Sequence, residues 1–170
     1  MPIRNLSDAQ NLLNSGQKFM GLDVGKKTIG LAIGDPNHQI ASPHRILWRS
    51  KFTKDMTDLF AEMDQLNVGG LVVGWPLNMD GSTGPRCDSV RDFCHALMRL
   101  KDYPIILHDE RLSTAAVERA MLSADMTRAN RHQRRDALAA GWILQSAFDA
   151  MPREAAQARE AAQDDENSPL

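Results

Sequence analysis

Three carboxylates stand where an acid is costly. Asp23 lies in the stretch GLDVGKKTIGLAIGD, Gly21 to Asp35, between Leu22 and Val24. Glu110 is followed closely by Leu112, and Asp136 by Ala137 and Leu138. A carboxylate among apolar residues loses much of its hydration free energy unless something positive meets it, so a metal ion or a cationic partner is expected. Hard oxygen donors held at one rim suit Mg²⁺ or Mn²⁺, which take few carboxylates and keep several waters. No His/Cys spacing supports zinc. Each acid also has a plainer account. Asp23 can bond turn amides at a strand end, Glu110 can pair with Arg111 in solvent, and Asp136 can meet the dipole of a helix it begins. Asp109 competes with Glu110, and the residue pattern leaves that choice open.

The elements that must position these acids follow from hydrophobic periodicity. Phe19 to Val24 and Thr28 to Gly34 are apolar runs around Gly25-Lys26-Lys27, a β-hairpin with a tight turn. His38 to Arg49 reads as a third strand, interrupted at Ser42-Pro43, with His38 and His44 as loop or strand-surface residues. Thr53 to Leu66 has helical spacing behind Thr53 as N-cap. Gly69 to Gly74 is continuously apolar, the pattern of a parallel strand buried on both faces. Trp75 to Arg86 carries two prolines and two glycines, a loop at the strand end where open α/β sheets bind ligands. Asp88 to Leu100 is a helix and Pro104 to His108 a strand. A helix from Ser113, an Arg-rich linker and a last helix from Arg135 to Met151, ended by Pro152, complete the chain. The expected fold is α/β, a mixed five-stranded sheet of three antiparallel and two parallel strands flanked by helices. Its first strand is central, and Asp23, Glu110 and Asp136 converge at one end.

At 170 residues the chain makes one domain. With 42% apolar and 25% charged residues it has the balance of a globular protein, and no apolar run approaches the ~20 residues of a membrane span. The start, MPIRNLSDAQNLLNSG, lacks the apolar core of a signal peptide, so a cytoplasmic location is expected. Within it Ser7 to Ser15 reads as a short helix between a Ser7 cap and a Gly16 stop, and residues 1–17 as an accessory segment. Cys87 and Cys94 share a helix face as small buried hydrophobes. Residues 152–170 hold two arginines against five acids, a local charge of −3, so the remainder carries +1 of the overall −2. That tail is expected to be solvated and partly disordered, leaving 18–151 as the folded domain. Arg128, Arg131, Arg134 and Arg135 precede the first acid of their run, Asp136, which keeps a phosphate partner in view.

Four blocks in order, LDVGKKTIGLAIGD, VVGWPLNMDGSTGPR, HDERLSTAAVERAML and RRDALAAGWILQ, make the chain from about Phe19 to Met151 similar to one family. It resembles the YqgF-type Holliday-junction-resolvase-like proteins, also called pre-16S ribosomal RNA nucleases, of the ribonuclease H-like superfamily. The resemblance carries the family's acidic triad onto Asp23, Glu110 and Asp136. It implies a metal-dependent endonuclease in which two Mg²⁺ or Mn²⁺ ions about 3.5–4 Å apart serve the attacking water and the leaving 3′ oxygen. The implied substrate is the 5′ end of the precursor of the small-subunit ribosomal RNA, on free RNA or ribosomal particles, by a monomer or homodimer. A resolvase of four-way DNA and a non-catalytic ribosome-assembly or transcription factor are the alternatives. Trp75 stands where the family more often has Leu and could offer a stacking face. Lys26, Arg86, Arg111, Arg128, Arg131, Arg134 and Arg135 are candidate phosphate contacts. Asn78, Ser82 and Thr83, around the Gly81 to Gly84 turn, could present amides and hydroxyls to a phosphate. Gly25 and Gly30 are expected to keep the rim above Asp23 open for a phosphodiester.

Overall fold

A computed structural model describes residues 3–78, 80–109 and 128–151, with side chains throughout except at 10 and 128–134. Five strands form one sheet in the order β3-β2-β1-β4-β5. They are β1 (Lys18–Val24), β2 (Thr28–Gly34), β3 (Ala41–Trp48), β4 (Val68–Trp75) and β5 (Ile105–Asp109). β1 pairs antiparallel with β2 and parallel with β4, so the strand carrying Asp23 is central, as expected. β5 runs parallel to β4, and β3 is an edge whose register slips between Leu31 and Ala32 opposite Pro43. A proline is tolerated there because an edge strand needs only half its amides.

Among the described residues four α-helices accompany the sheet: α1 (Ala9–Leu12), α2 (Phe52–Gln65), α3 (Pro85–Leu100) and α4 (Arg128–Ala150). Strand alternation splits the core in two. Met20, Leu22, Val24, Ile29, Leu31, Leu71 and Val73 face α2 and α3, whose Met56, Leu59, Met63, Phe93 and Leu97 fill the space between. Phe19, Ala32, Val72 and Ile106 face α4, which answers with Ala140, Ile143, Leu144, Ala147 and Phe148. Each buried Leu, Ile or Met contributes about 1.5–3 kcal/mol, so the first cluster dominates stability. Cys94 is buried in it and Cys87 is buried on the same helix, as expected, and burial pushes the Cys94 thiol up to about 12.

Several boundaries differ from expectation for local reasons. The N-terminal segment turns once as a 3₁₀-helix (Leu6–Asp8) before the short α1, because Leu13 is already extended. Arg4 bridges to Ile106 through its amide, donated to Ile105 at 2.8 Å, and Ala9 is buried in the α4-side cluster. α2 begins one residue before Thr53, behind Lys51, and its first turn is tied by Asp55, which accepts the Ser50 amide at 2.8 Å and the Ser50 hydroxyl at 2.7 Å. α3 starts at Pro85, a favoured first helical residue, shortening the preceding loop. The arginine run expected to be a linker is helical: Arg128 to Arg135 form the first two turns of α4. The helix expected from Ser113 and the tail from Pro152 lie outside the described residues. No described helix is long and apolar enough to cross a membrane.

Candidate active site

Because β1, β4 and β5 are parallel, their C-terminal ends form one rim with the β1–β2 turn. Asp23 is one residue from the end of β1, half-buried, with the parity of Gly21 and Phe19 and so on the α4 face. Directly opposite it in β2 is Gly30. A Cβ on Gly30 would fall inside van der Waals contact of the Asp136 carbonyl oxygen. One on Gly21 would come within 2.8 Å of the Leu144 Cβ and 2.9 Å of the Ala140 oxygen, and one on Gly34 within 2.5 Å of Phe148. These glycines form a lane in which the backbone of α4 lies against the sheet. Gly30 therefore makes room for α4 and not, as the sequence led us to expect, for an approaching phosphodiester. Gly25 has a turn role, its amide bonding Thr28 at 2.9 Å.

The lane fixes Asp136. It sits eight residues after Arg128, beyond the first turn whose free amides make the dipole effective, so the dipole account of this carboxylate falls. The Thr28 hydroxyl donates to Asp136 Oδ2 across 108 residues of sequence. Thr28 opens β2, two residues from Gly30 and on the same face, which places the Asp136 carboxylate diagonally across from Asp23. Two of the three expected acids thus share one face at one rim.

Glu110 and Arg111 lie outside the described residues. Among the described residues no three His, Cys, Asp or Glu side chains gather as a metal cluster. Asp109 is placed by alternation: Ile105 and Leu107 turn toward α2 and α3, Ile106 and His108 toward α4, so Asp109 falls on the face away from Asp23. His108, which sequence reasoning passed over, lies on the α4 face with Nε2 2.9 Å from Ser146 Oγ. Burial holds its imidazole below the ordinary histidine value against the pull of Asp109. Strand parity within the HDER stretch is the signal that marks it.

The remaining predicted residues are dispersed. Lys26 is exposed at the hairpin tip, and Arg86 is exposed in the first turn of α3. Arg135 and the helical backbone of Arg128, Arg131 and Arg134 occupy α4's start. In the loop after β4, Asp80 Oδ1 accepts the Ser82 amide at 2.9 Å and hydroxyl at 2.6 Å. The Asn78 side chain donates to Ser82 Oγ at 3.1 Å, while the Asn78 amide donates to the Ser82 carbonyl and the Gly81 amide to that of Asn78. The amides and hydroxyl expected to await a phosphate are engaged within the loop, and Thr83 is exposed beside them. Trp75 is half-buried against the α2–α3 cluster, which limits it as a stacking face.

Comparison with known proteins adds identity to this geometry. Residues 17–150 match a family described as "RuvX: Holliday junction resolvase". A "Putative pre-16S rRNA nuclease" of Paramagnetospirillum magneticum is 48% identical over 149 residues, 88% of this chain and 96% of the relative. One of the same description from Rhodospirillum rubrum is 47% identical over 155 residues, 91% and 96% of the two chains. Among solved structures, T. thermophilus RuvC in complex with Holliday junction substrate superposes with a TM-score of 0.51 at 14% identity, over 79% of this chain and 94% of that one. At that identity the likeness shows the fold, the ribonuclease H-like α/β architecture.

Proposed function

The chain belongs to the RuvX family, and from that membership we propose that it is a metal-dependent endonuclease that trims the 5′ end of precursor 16S ribosomal RNA in the cytoplasm. The observation that carries the reading is the meeting of Asp23 and Asp136 on one face of the central strands, with α4 drawn close by Gly30. Glu110 is proposed as the third acid of the site. The donor set fits the ion: carboxylates with a hydroxyl behind them are hard oxygen donors, and neither Asp23 nor Asp136 has a thiol or imidazole beside it in the β1–β2 register. Two Mg²⁺ or Mn²⁺ ions bound there would activate the attacking water and stabilise the departing 3′ oxygen.

The chain's own part is positioning. Thr28 holds the Asp136 carboxylate in one orientation, so no rotamer has to be selected when substrate arrives. Asp23 is fixed by a paired central strand, a more precise support than a loop. Lys26 at the hairpin tip, and the arginines of α4, supply positive charge to orient the phosphodiester backbone.

The test uses a precursor 16S transcript and a four-way DNA junction, each with Mg²⁺ or Mn²⁺, and compares wild type with Asp23→Asn and Asp136→Asn. Cleavage of the transcript is expected to slow about 100- to 1000-fold in each variant while binding persists. Variants that cut as fast as wild type would remove the carboxylate site. Cutting of the junction alone would move the substrate to branched DNA. Binding without cutting, steep in salt, would make the protein an assembly factor.

A further inference from the structure

Trp48 ends the edge strand β3 and is 68% exposed, more than any other large apolar side chain among the described residues. Its register partner is Thr28, the residue that bonds Asp136, so Trp48 stands on the α4 face beside the carboxylates. Between β3 and α4 runs an open groove of about 680 Å³ lined by Pro43, Ile46, Trp48, Ala137 and Leu138 among others. Ala137 and Leu138 directly follow Asp136, so the groove leads away from the proposed site. Its volume lies in the range of small-ligand clefts and admits a single nucleotide.

The two chain segments that adjoin Trp48 are basic. The β1–β2 turn carries Lys26 and Lys27, and the chain after Trp48 carries Arg49 and Lys51, the three lysines exposed. The two segments are tied together: the Arg49 amide donates to the Lys27 carbonyl at 2.8 Å and its guanidinium to the Gly25 carbonyl at 2.7 Å. Apart from the carboxylates of the proposed site, the nearest acid along these segments, Asp55, is buried and spent on Ser50. An exposed indole with exposed lysines on the two chain segments beside it is complementary to a nucleotide, which offers a π-face for stacking and a phosphate on either side. A second copy pairing along β3 is a poorer occupant, since lysines at a strand end oppose edge-to-edge association.

We infer that Trp48 is the stacking platform of a subsite for one unpaired nucleotide of the substrate strand, next to the scissile phosphate, with Lys26, Lys27 and Lys51 holding the flanking phosphates. The inference rests on the nuclease reading above and adds a specificity: a site fed by unpaired strand, not by continuous duplex. Arg49 acts as a positioning residue, joining the hairpin turn to the end of β3.

The experiment measures binding without cleavage. A 5′-fluorescein-labelled single-stranded RNA 12-mer is titrated with full-length protein in EDTA, and anisotropy gives Kd at several salt concentrations. Trp48→Ala is expected to weaken binding by about five- to a hundredfold. Trp48→Phe should stay within about threefold of wild type because a smaller ring still stacks. Trp142→Ala, the control at a tryptophan 46% exposed on α4, should leave Kd unchanged. The slope of log Kd against log salt should be the same for wild type and Trp48→Ala, since no phosphate contact is removed. A Trp48→Ala Kd within twofold of wild type overturns the subsite, as does equal loss in the Phe and Ala variants. Sedimentation showing a wild-type dimer dissolved by Trp48→Ala would make the patch an interface between copies instead. No RNA binding by wild type at all would overturn both this inference and the nuclease reading. Slowed cleavage in Asp23→Asn with normal Trp48-dependent binding would uphold both.

Discussion

The two faces of the sheet are built from the same strands and solve different problems. On the α2–α3 face every second residue of β1 and β2 is large: Met20, Leu22 and Val24 against Ile29 and Leu31. On the α4 face the same strands present Gly21, Asp23, Gly30, Ala32 and Gly34. Large side chains keep a helix at a distance and exclude water, which suits stability. Small ones bring a helix backbone into contact, and a carboxylate carried on that helix is then placed by backbone packing, not by a flexible side chain. The acids divide the same way. Asp55, beside the α2–α3 face, is 6% exposed and closed by Ser50, whereas Asp23 and Asp136 are half-buried at an open rim.

Adjacent residues of β2 test that division most sharply. Leu31→Ala on the large-residue face should cost about 2–5 kcal/mol in denaturant unfolding. Cleavage per folded molecule should hardly change; a parallel loss of activity would mean that the faces are not independent. Gly30→Ala on the other face should cost about 1–3 kcal/mol because α4 must move off the strand. Here cleavage should fall out of proportion, by at least about tenfold, since Asp136 moves with the helix. Normal activity in a folded Gly30→Ala protein would break the link between the glycine lane and the site.

Smaller effects separate orientation from stability. Thr28→Val keeps the shape of the side chain but removes the donor to Asp136. Unfolding free energy should drop by only about 1 kcal/mol. Cleavage should slow about 10- to 100-fold, as for other groups that orient a ligand. Asp55 gives the weakest signal and concerns pH. Burial raises its carboxyl, but the bonds from the Ser50 hydroxyl and amide outweigh that, and it ends below its ordinary 3.8. Its contribution to stability is therefore complete above that value and lost as pH falls below it. Asp55→Asn should remove that part of the acid limb of the stability–pH curve, without altering cleavage at neutral pH.

Much of this architecture is legible in the order of residues alone. Alternation and helical spacing are local, and they identify the hairpin, the central β1, the buried β4 and the three helices α2, α3 and α4, though not where α4 begins. Asp23 is conspicuous because a carboxylate inside an apolar run has few explanations. Thr28 and His108 are harder. Each is unremarkable along the chain and acquires meaning only from the face it shares with α4. Asp55 is hidden for a related reason, because its partner lies five residues back and outside the helical pattern.

What the sequence by itself determined was the succession of strands and helices along the chain and the alternation of residues on each, since both follow from a period of two and a period of 3.6 read locally. Tertiary structure alone decided what the small face is for. A glycine in a strand announces that something comes close, but it does not say whether that is a ligand or a backbone. Docking of α4 answered it at Gly30, carried Asp136 two turns into a helix that takes in the arginine run, and left Trp48 uncovered beside the carboxylates. Each of these depends on contacts made about a hundred residues away in the chain, which no local pattern encodes.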